Sequence, residues 1–136
     1  VKWSHGIDTS CVLCKAAHES RDHLSFECQY TAQVWEFIVK GILGSSYTNQ
    51  WSEIMDIITD SSRERKSFFC LRYSFQAVLY GVWRERNKVR HGDRMMHVPI
   101  LQRLIEKSIR NKISVLRKKG IKGMEMMMQY WFLNRM

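Results

Sequence analysis

Residues 11–28, CVLCKAAHESRDHLSFEC, set Cys11, Cys14, His23 and Cys28 in the spacing C-x2-C-x8-H-x4-C. No other stretch of the 136 residues constrains the fold as tightly, because four soft donors this close in sequence suit a single centre. A secreted disulfide scaffold carries an even, spread-out set of cysteines. Here three are clustered and cannot all pair among themselves, while the fourth, Cys70, sits far away in an apolar run. A thioredoxin-like dithiol calls for a strand leading into its Cys-x-x-Cys, and WSHGIDTS offers none. A Cys-x-x-Cys turn presents both sulfurs to one side, each at the roughly 2.3 Å that zinc requires. With His23 and Cys28 it makes a closed Cys3His set, whose N and S donors favour Zn2+ over hard cations that want oxygen. His23 is preferred as the imidazole because RDHLSFEC sets Leu24 and Phe26 beside it as apolar walls. His18, in AAHES, and His5, upstream, remain alternatives.

Two motifs carry a family resemblance. Asp8, Cys11 and Cys14 form D-x-x-C-x-x-C. Glu19, His23, Leu24, Phe26 and Cys28 form E-x-x-x-H-L-x-F-x-C, and AQVW follows with Ala32, Val34 and Trp35. This run resembles the reverse-transcriptase zinc-binding domain, which in plants follows the polymerase region of retrotransposons lacking long terminal repeats. VWRERNKVRHG, from Val82 to Gly92, is similar to the W-x-E-R-N segment that trails the zinc site in such reading frames. The resemblance implies a Zn2+ cofactor, a parent that handles RNA or DNA, and a polymerase region in cis. A chain that starts at Val1 is expected to be a fragment of a longer product.

Periodicity is helical almost throughout. Val34, Trp35, Ile38, Val39, Ile42 and Leu43 recur at helical spacing and stop at Gly44. TNQWSEIMDII offers Thr48 or Asn49 as N-cap of a short helix with Trp51, Ile54, Met55 and Ile58 inward. Residues 63–91 make the longest helix, on a stripe of Phe68, Leu71, Phe75, Val78, Leu79 and Val82, with Trp83 at its edge. After the polar break HGDRMMH, Pro99 opens a helix over 99–119 with Leu101, Leu104, Ile105, Ile109, Ile113 and Leu116 on one side. A short polar turn between two such stripes predicts an antiparallel pair. The tail MEMMMQYWFLNRM is either a lid on the core or a surface for self-association that uses adaptable methionine. The expectation is an all-α helical bundle with a small N-terminal zinc-stapled lobe. Residues 1–44 would be the lobe and its following helix, and residues 45–136 a basic helical region packed onto it.

Charge divides the chain. Residues 1–62 hold four Lys/Arg against eight Asp/Glu, whereas residues 63–136 hold eighteen against five, so the net +9 belongs to the second part. Opposite signs in the two parts point to a polyanion on one side. Arg84, Arg86, Lys88 and Arg90 end the long helix; Arg103, Lys107, Arg110, Arg117 and Lys118 oppose the apolar face of the next. These nine are the expected contacts to RNA or DNA, the other reading being a solvated face.

No phosphate loop, nucleophile elbow or paired-carboxylate metal centre is legible, and Asp56 with Asp60 is too sparse for one. Cys70, between Phe69 and Leu71, reads as a core thiol. The expectation is therefore a non-enzymatic, zinc-binding, nucleic-acid-binding module. The alternative is a structural or protein-interaction relic of a retrotransposon polyprotein. With no signal-peptide pattern and no apolar run of transmembrane length, an intracellular protein, nuclear or cytoplasmic, without membrane contact is expected.

Overall fold

The computed structural model describes residues 10–135, so His5 and Asp8 lie outside the described residues. Five α-helices follow one π turn, His23–Glu27: α1 Gln29–Leu43, α2 Trp51–Ile58, α3 Arg65–Arg90, α4 Val98–Lys118 and α5 Met124–Leu133. Among the described residues there is no strand, only an isolated antiparallel bridge between Ser10 and His18. No described helix is long and apolar enough to cross a membrane.

The helix ends follow local chemistry. Gly44 stops α1 at φ 56°, a left-handed conformation that costs glycine little, with its N–H on the Lys40 carbonyl. The start of α2 corrects the sequence expectation: Gln50, not Thr48 or Asn49, occupies the capping position. The Thr48 carbonyl accepts the Trp35 indole N–H at 2.9 Å, and its hydroxyl accepts the Gln50 N–H at 3.1 Å while bonding Glu53. A distant helix thus holds Thr48 outside the helix that local spacing assigned to it. In α4 the first residue is Val98, with Pro99 in the first turn.

Helices α3 and α4 run antiparallel, since Tyr73 meets Lys112, Gly81 meets Ile105 and the Glu85 carboxylate bonds the Met96 N–H just before α4. Gly81 sits at their contact, where an added Cβ would come to 2.9 Å from Ile105 Cδ1 and shift that side chain. Leu101, Ile105, Ile109 and Ile113 of α4 are buried as their spacing requires, but Leu104, expected inward, is 51% exposed. It stands on the rim facing α3, lining the same depression as Tyr80 and Arg84, while Leu101 and Ile105 pack inward against Gly81. Leu116 and Phe68 are half-buried.

One continuous cluster of buried residues runs from Cys11 to Trp131, so residues 10–44 and 45–135 share a core. Phe26 of the π turn joins them: its ring lies 4.8 Å from Trp35 of α1, 5.9 Å from Trp51 of α2 and 5.3 Å from Phe75 of α3. Aromatic contacts at such spacings add about 0.5–1.5 kcal/mol each beyond the area they bury. The methionine-rich tail acts as a lid, with Met124, Met127 and Trp131 buried. Trp131 Nε1 donates to Glu106 of α4 at 2.8 Å, and Met127 Sδ lies 3.6 Å from Cys70 Sγ. Burial pushes the Cys70 thiol up to about 12, which suits a core group and not a nucleophile.

Candidate metal centre

The Cys-x-x-Cys segment forms a tight hairpin. The Cys11 N–H reaches the Ala17 carbonyl at 2.7 Å, and the Lys15 N–H reaches the Cys11 carbonyl at 2.9 Å. Lys15 takes φ 60°, unusual for a side chain with a Cβ, and this turns the Ala16 N–H onto Cys14 Sγ at 3.4 Å. The second pair of donors comes from the two ends of the π turn. In an α-helix, residues five apart stand about 140° from each other around the axis. The wider i to i+5 winding, seen as the Cys28 N–H on the His23 carbonyl at 2.5 Å, draws His23 and Cys28 toward one side.

The four donors converge. Cys11 Sγ lies 3.7 Å from Cys28 Sγ, Cys14 Sγ lies 3.3 Å from His23 Nε2, and all four ligand atoms fall within 4.8 Å of one another. Bonds of about 2.0–2.3 Å to a tetrahedral ion put ligand atoms roughly 3.5–3.8 Å apart, so the spacing fits one zinc-sized centre. A disulfide would need about 2.05 Å between sulfurs, and all four cysteines are free. His18 is exposed and stays outside the cluster, its backbone bridged to Ser10. Leu24 and Phe26 are fully buried beside His23, as the walls that the sequence offered.

Electrostatics at the site divide the thiols. Burial pushes Cys28 up to about 12, against the opposing pull of the Thr31 and Tyr30 amides at the start of α1. Partial burial raises Cys14 too, but the Ala16 amide, His23 and the two neighbouring sulfurs outweigh it and leave the thiol at about 7. A divalent cation among these donors would hold all three as thiolates. Three thiolates and one imidazole complete a tetrahedral shell, the arrangement of a structural site with no open position.

A residue whose role the sequence left open fastens this hairpin to the bundle. Glu19 Oε1 accepts from Arg86 Nε at 2.8 Å and Nη2 at 2.6 Å, while Oε2 accepts the Val12 N–H at 3.1 Å. The only sequence signal was opposite charge within two separate motifs, E-x-x-x-H and W-x-E-R-N. Glu85 of the second motif is 2% exposed and accepts the Met96 N–H, while Tyr30 donates to the Met96 carbonyl at 2.6 Å. The segment between α3 and α4 is thereby tied to α1.

Fold and site define an all-helical protein stapled near its start by a Cys3His metal-binding lobe. Residues 1–35 match the family described as zinc-binding in reverse transcriptase, and residues 36–136 lie outside that match. No curated protein and no solved structure matches the chain.

The nine basic residues expected to meet nucleic acid fall into two groups. Arg86 is engaged by Glu19, with side-chain exposures of 16% and 18%, and stacks 5.2 Å from the Trp83 ring. Lys88 stands 3.6 Å from Glu85, Arg110 2.8 Å from Glu106 and Arg117 3.6 Å from Glu125. Arg84, Arg90, Arg103, Lys107 and Lys118 are exposed, and none is ion-paired among the described residues.

Proposed function

We propose that this chain is a zinc-binding, nucleic-acid-binding module of retrotransposon origin, non-catalytic by itself. Cys11, Cys14, His23 and Cys28 would hold Zn2+, whose contribution is to brace the hairpin against the π turn. RNA or DNA would meet the basic surface of α3 and α4. The observation that carries this reading is the set of exposed cations Arg84, Arg90, Arg103, Lys107 and Lys118, not ion-paired among the described residues, on two helices whose acids, Glu85 and Glu106, are already engaged. The lobe itself suits phosphate poorly. Its segment 11–28 carries Lys15 and Arg21 against Glu19, Asp22 and Glu27, and Arg21 is paired with Asp22 and lies 4.6 Å over Trp51.

The test measures bound metal and nucleic-acid affinity on one purified sample over a range of salt. Each neutralised phosphate adds about 0.7–0.9 to the slope of log K against log salt. Arg103→Glu with Lys107→Glu should weaken binding and flatten the slope, whereas Lys15→Glu with Arg21→Glu should change little. Equal losses from both pairs, or no affinity in the unmutated protein at low salt, would favour a protein-interaction role. The exposed Met126, Phe132 and Leu133 of α5 would then be the surface to examine.

A further inference from the structure

The outward stripe of α4 is not the most structured feature of the basic region. Three depressions of about 390, 190 and 330 Å3 adjoin along α3, the first lined by α3 alone and the other two lying at its seam with α4. The first and second share Tyr73 and Gln76, and the second and third share Ala77 and Ser108, so they follow one another along α3 from Arg65 to Lys88. At 1.5 Å per residue that path is about 35 Å long. Phe69, Tyr73, Ala77, Tyr80, Arg84 and Lys88 fall within about 100° of arc on α3, so a single helix face supplies one wall.

This wall carries rings over its first part, Phe69, Tyr73 and Tyr80, and cations, Arg84 and Lys88, beyond them. Tyr73 packs edge-on to Phe69 at 4.5 Å, with Lys112 Nζ of α4 5.9 Å from the Tyr73 ring centroid, and Tyr80 is 68% exposed with Arg84 one turn on. Arg65, Arg72, Arg84, Lys88 and Lys112 line the depressions. The one acid among the lining residues is Glu85, buried and already bonded to Met96 and Lys88. Gly81, Leu101 and Ile105 leave an apolar floor in the 330 Å3 stretch. A tyrosine ring held two-thirds in water beside cations adds at most about 1 kcal/mol to the protein's own stability. A strand of bases gains more from it, because any base can stack on the ring while its phosphates meet the flanking charges.

We infer that the α3–α4 seam is a track for a single-stranded polynucleotide, with Tyr80, and next to it Tyr73, as stacking platforms. This rests on the nucleic-acid reading above and narrows it to unpaired strands. Tyr73 and Tyr80 stand about 10 Å apart along the axis, the length of about three stacked nucleotides. A duplex presents its bases edge-on within the grooves and cannot lay their faces on either ring.

The probe is a fluorescein-labelled oligothymidylate of about twelve nucleotides, within the site sizes of strand-binding grooves, compared with the same strand in a duplex. The full chain loaded with zinc should bind the strand more tightly than the duplex. Tyr80→Ala should weaken strand binding about five- to a hundredfold, the range of one lost stacking contact, with unchanged helicity because the ring is exposed. Tyr80→Phe should retain affinity, and Arg84→Glu with Lys112→Glu should flatten the salt slope. Equal or tighter duplex binding, or Tyr80→Ala binding like the unmutated protein, overturns the seam while leaving a basic-surface reading intact. Absence of all binding at low salt overturns both.

Discussion

Glu19 and Arg86, 67 positions apart, form the one ion pair among the described residues that links the metal hairpin to the long helix. Two nitrogens of the guanidinium donate to a single carboxylate oxygen, and the other oxygen holds the Val12 amide of the hairpin. A charge-assisted pair this shielded loses more when one partner is removed than when both are. Arg86→Ala or Glu19→Ala should each cost about 1–3 kcal/mol in denaturant melts, and the double variant should cost less than the sum. Strand or duplex affinity should survive Arg86→Ala, since its guanidinium already has a partner.

The same pair predicts a pH dependence. Burial raises the Glu19 carboxyl, but Arg86 and the Val12 amide outweigh it and hold the group below its ordinary 4.5. A depressed carboxyl stabilises the fold above its unfolded value and loses that contribution as pH falls through the folded one. The stability gap between the unmutated protein and Glu19→Gln should therefore be constant near neutrality and close below about pH 4.5. A gap that persists at lower pH would assign it to packing.

Metal removal should reach beyond the lobe. A structural zinc site in peptides contributes on the order of 10 kcal/mol or more to folding. Because Phe26 sits among Trp35, Trp51 and Phe75, chelation should disturb tryptophan fluorescence together with the far-ultraviolet signal of α1. Cys28→Ser should lower zinc affinity, and Cys70→Ser should leave it unchanged, since Cys70 is buried against Met127 outside the cluster.

Gly41 decides how the chain's end docks. A Cβ there would lie 2.0 Å from the Asn134 carbonyl oxygen, so Gly41→Ala must push the end of α5 away from α1. Overpacking of this kind costs about 1–3 kcal/mol. The loss should appear as a lower melting temperature, and removing residues 134–136 should relieve it.

Glu106 is the hub between α4 and α5, accepting from Trp131 Nε1 and from Arg110 Nε, each at 2.8 Å. Glu106→Ala strands a buried indole N–H, at about 1–3 kcal/mol by thermal melts. Arg110→Glu should likewise destabilise, because it sets two carboxylates together. Any loss of nucleic-acid affinity in an Arg110 variant has to be read beside its melting curve.

The donor set was legible because the four ligands lie within eighteen residues, where turn geometry and spacing leave few ways to place them. Helix extents were legible for the same reason: the apolar period and Gly44 act over a turn or two. The start of α2 was not, since the Trp35 indole that holds the Thr48 carbonyl comes from another helix. Nor was the inward or outward place of Leu104, a residue at the edge of its stripe. A few degrees of helix rotation settle such a position, and neighbouring helices set that rotation.

Charge shows the division most plainly. From the sequence alone came the excess of cations after residue 62, the Cys3His spacing and the all-helical class, all properties of composition or of contacts within a few turns. Which cations remain available was decided only in three dimensions. Arg86 meets Glu19 and Arg117 meets Glu125, while Arg84 and Tyr80 are left on an open seam; only Arg110, four residues after Glu106 on one helix, has a partner that spacing alone offers. Pairing across long separations depends on how the helices pack, because only packing brings Glu19 within hydrogen-bond reach of a guanidinium 67 residues away.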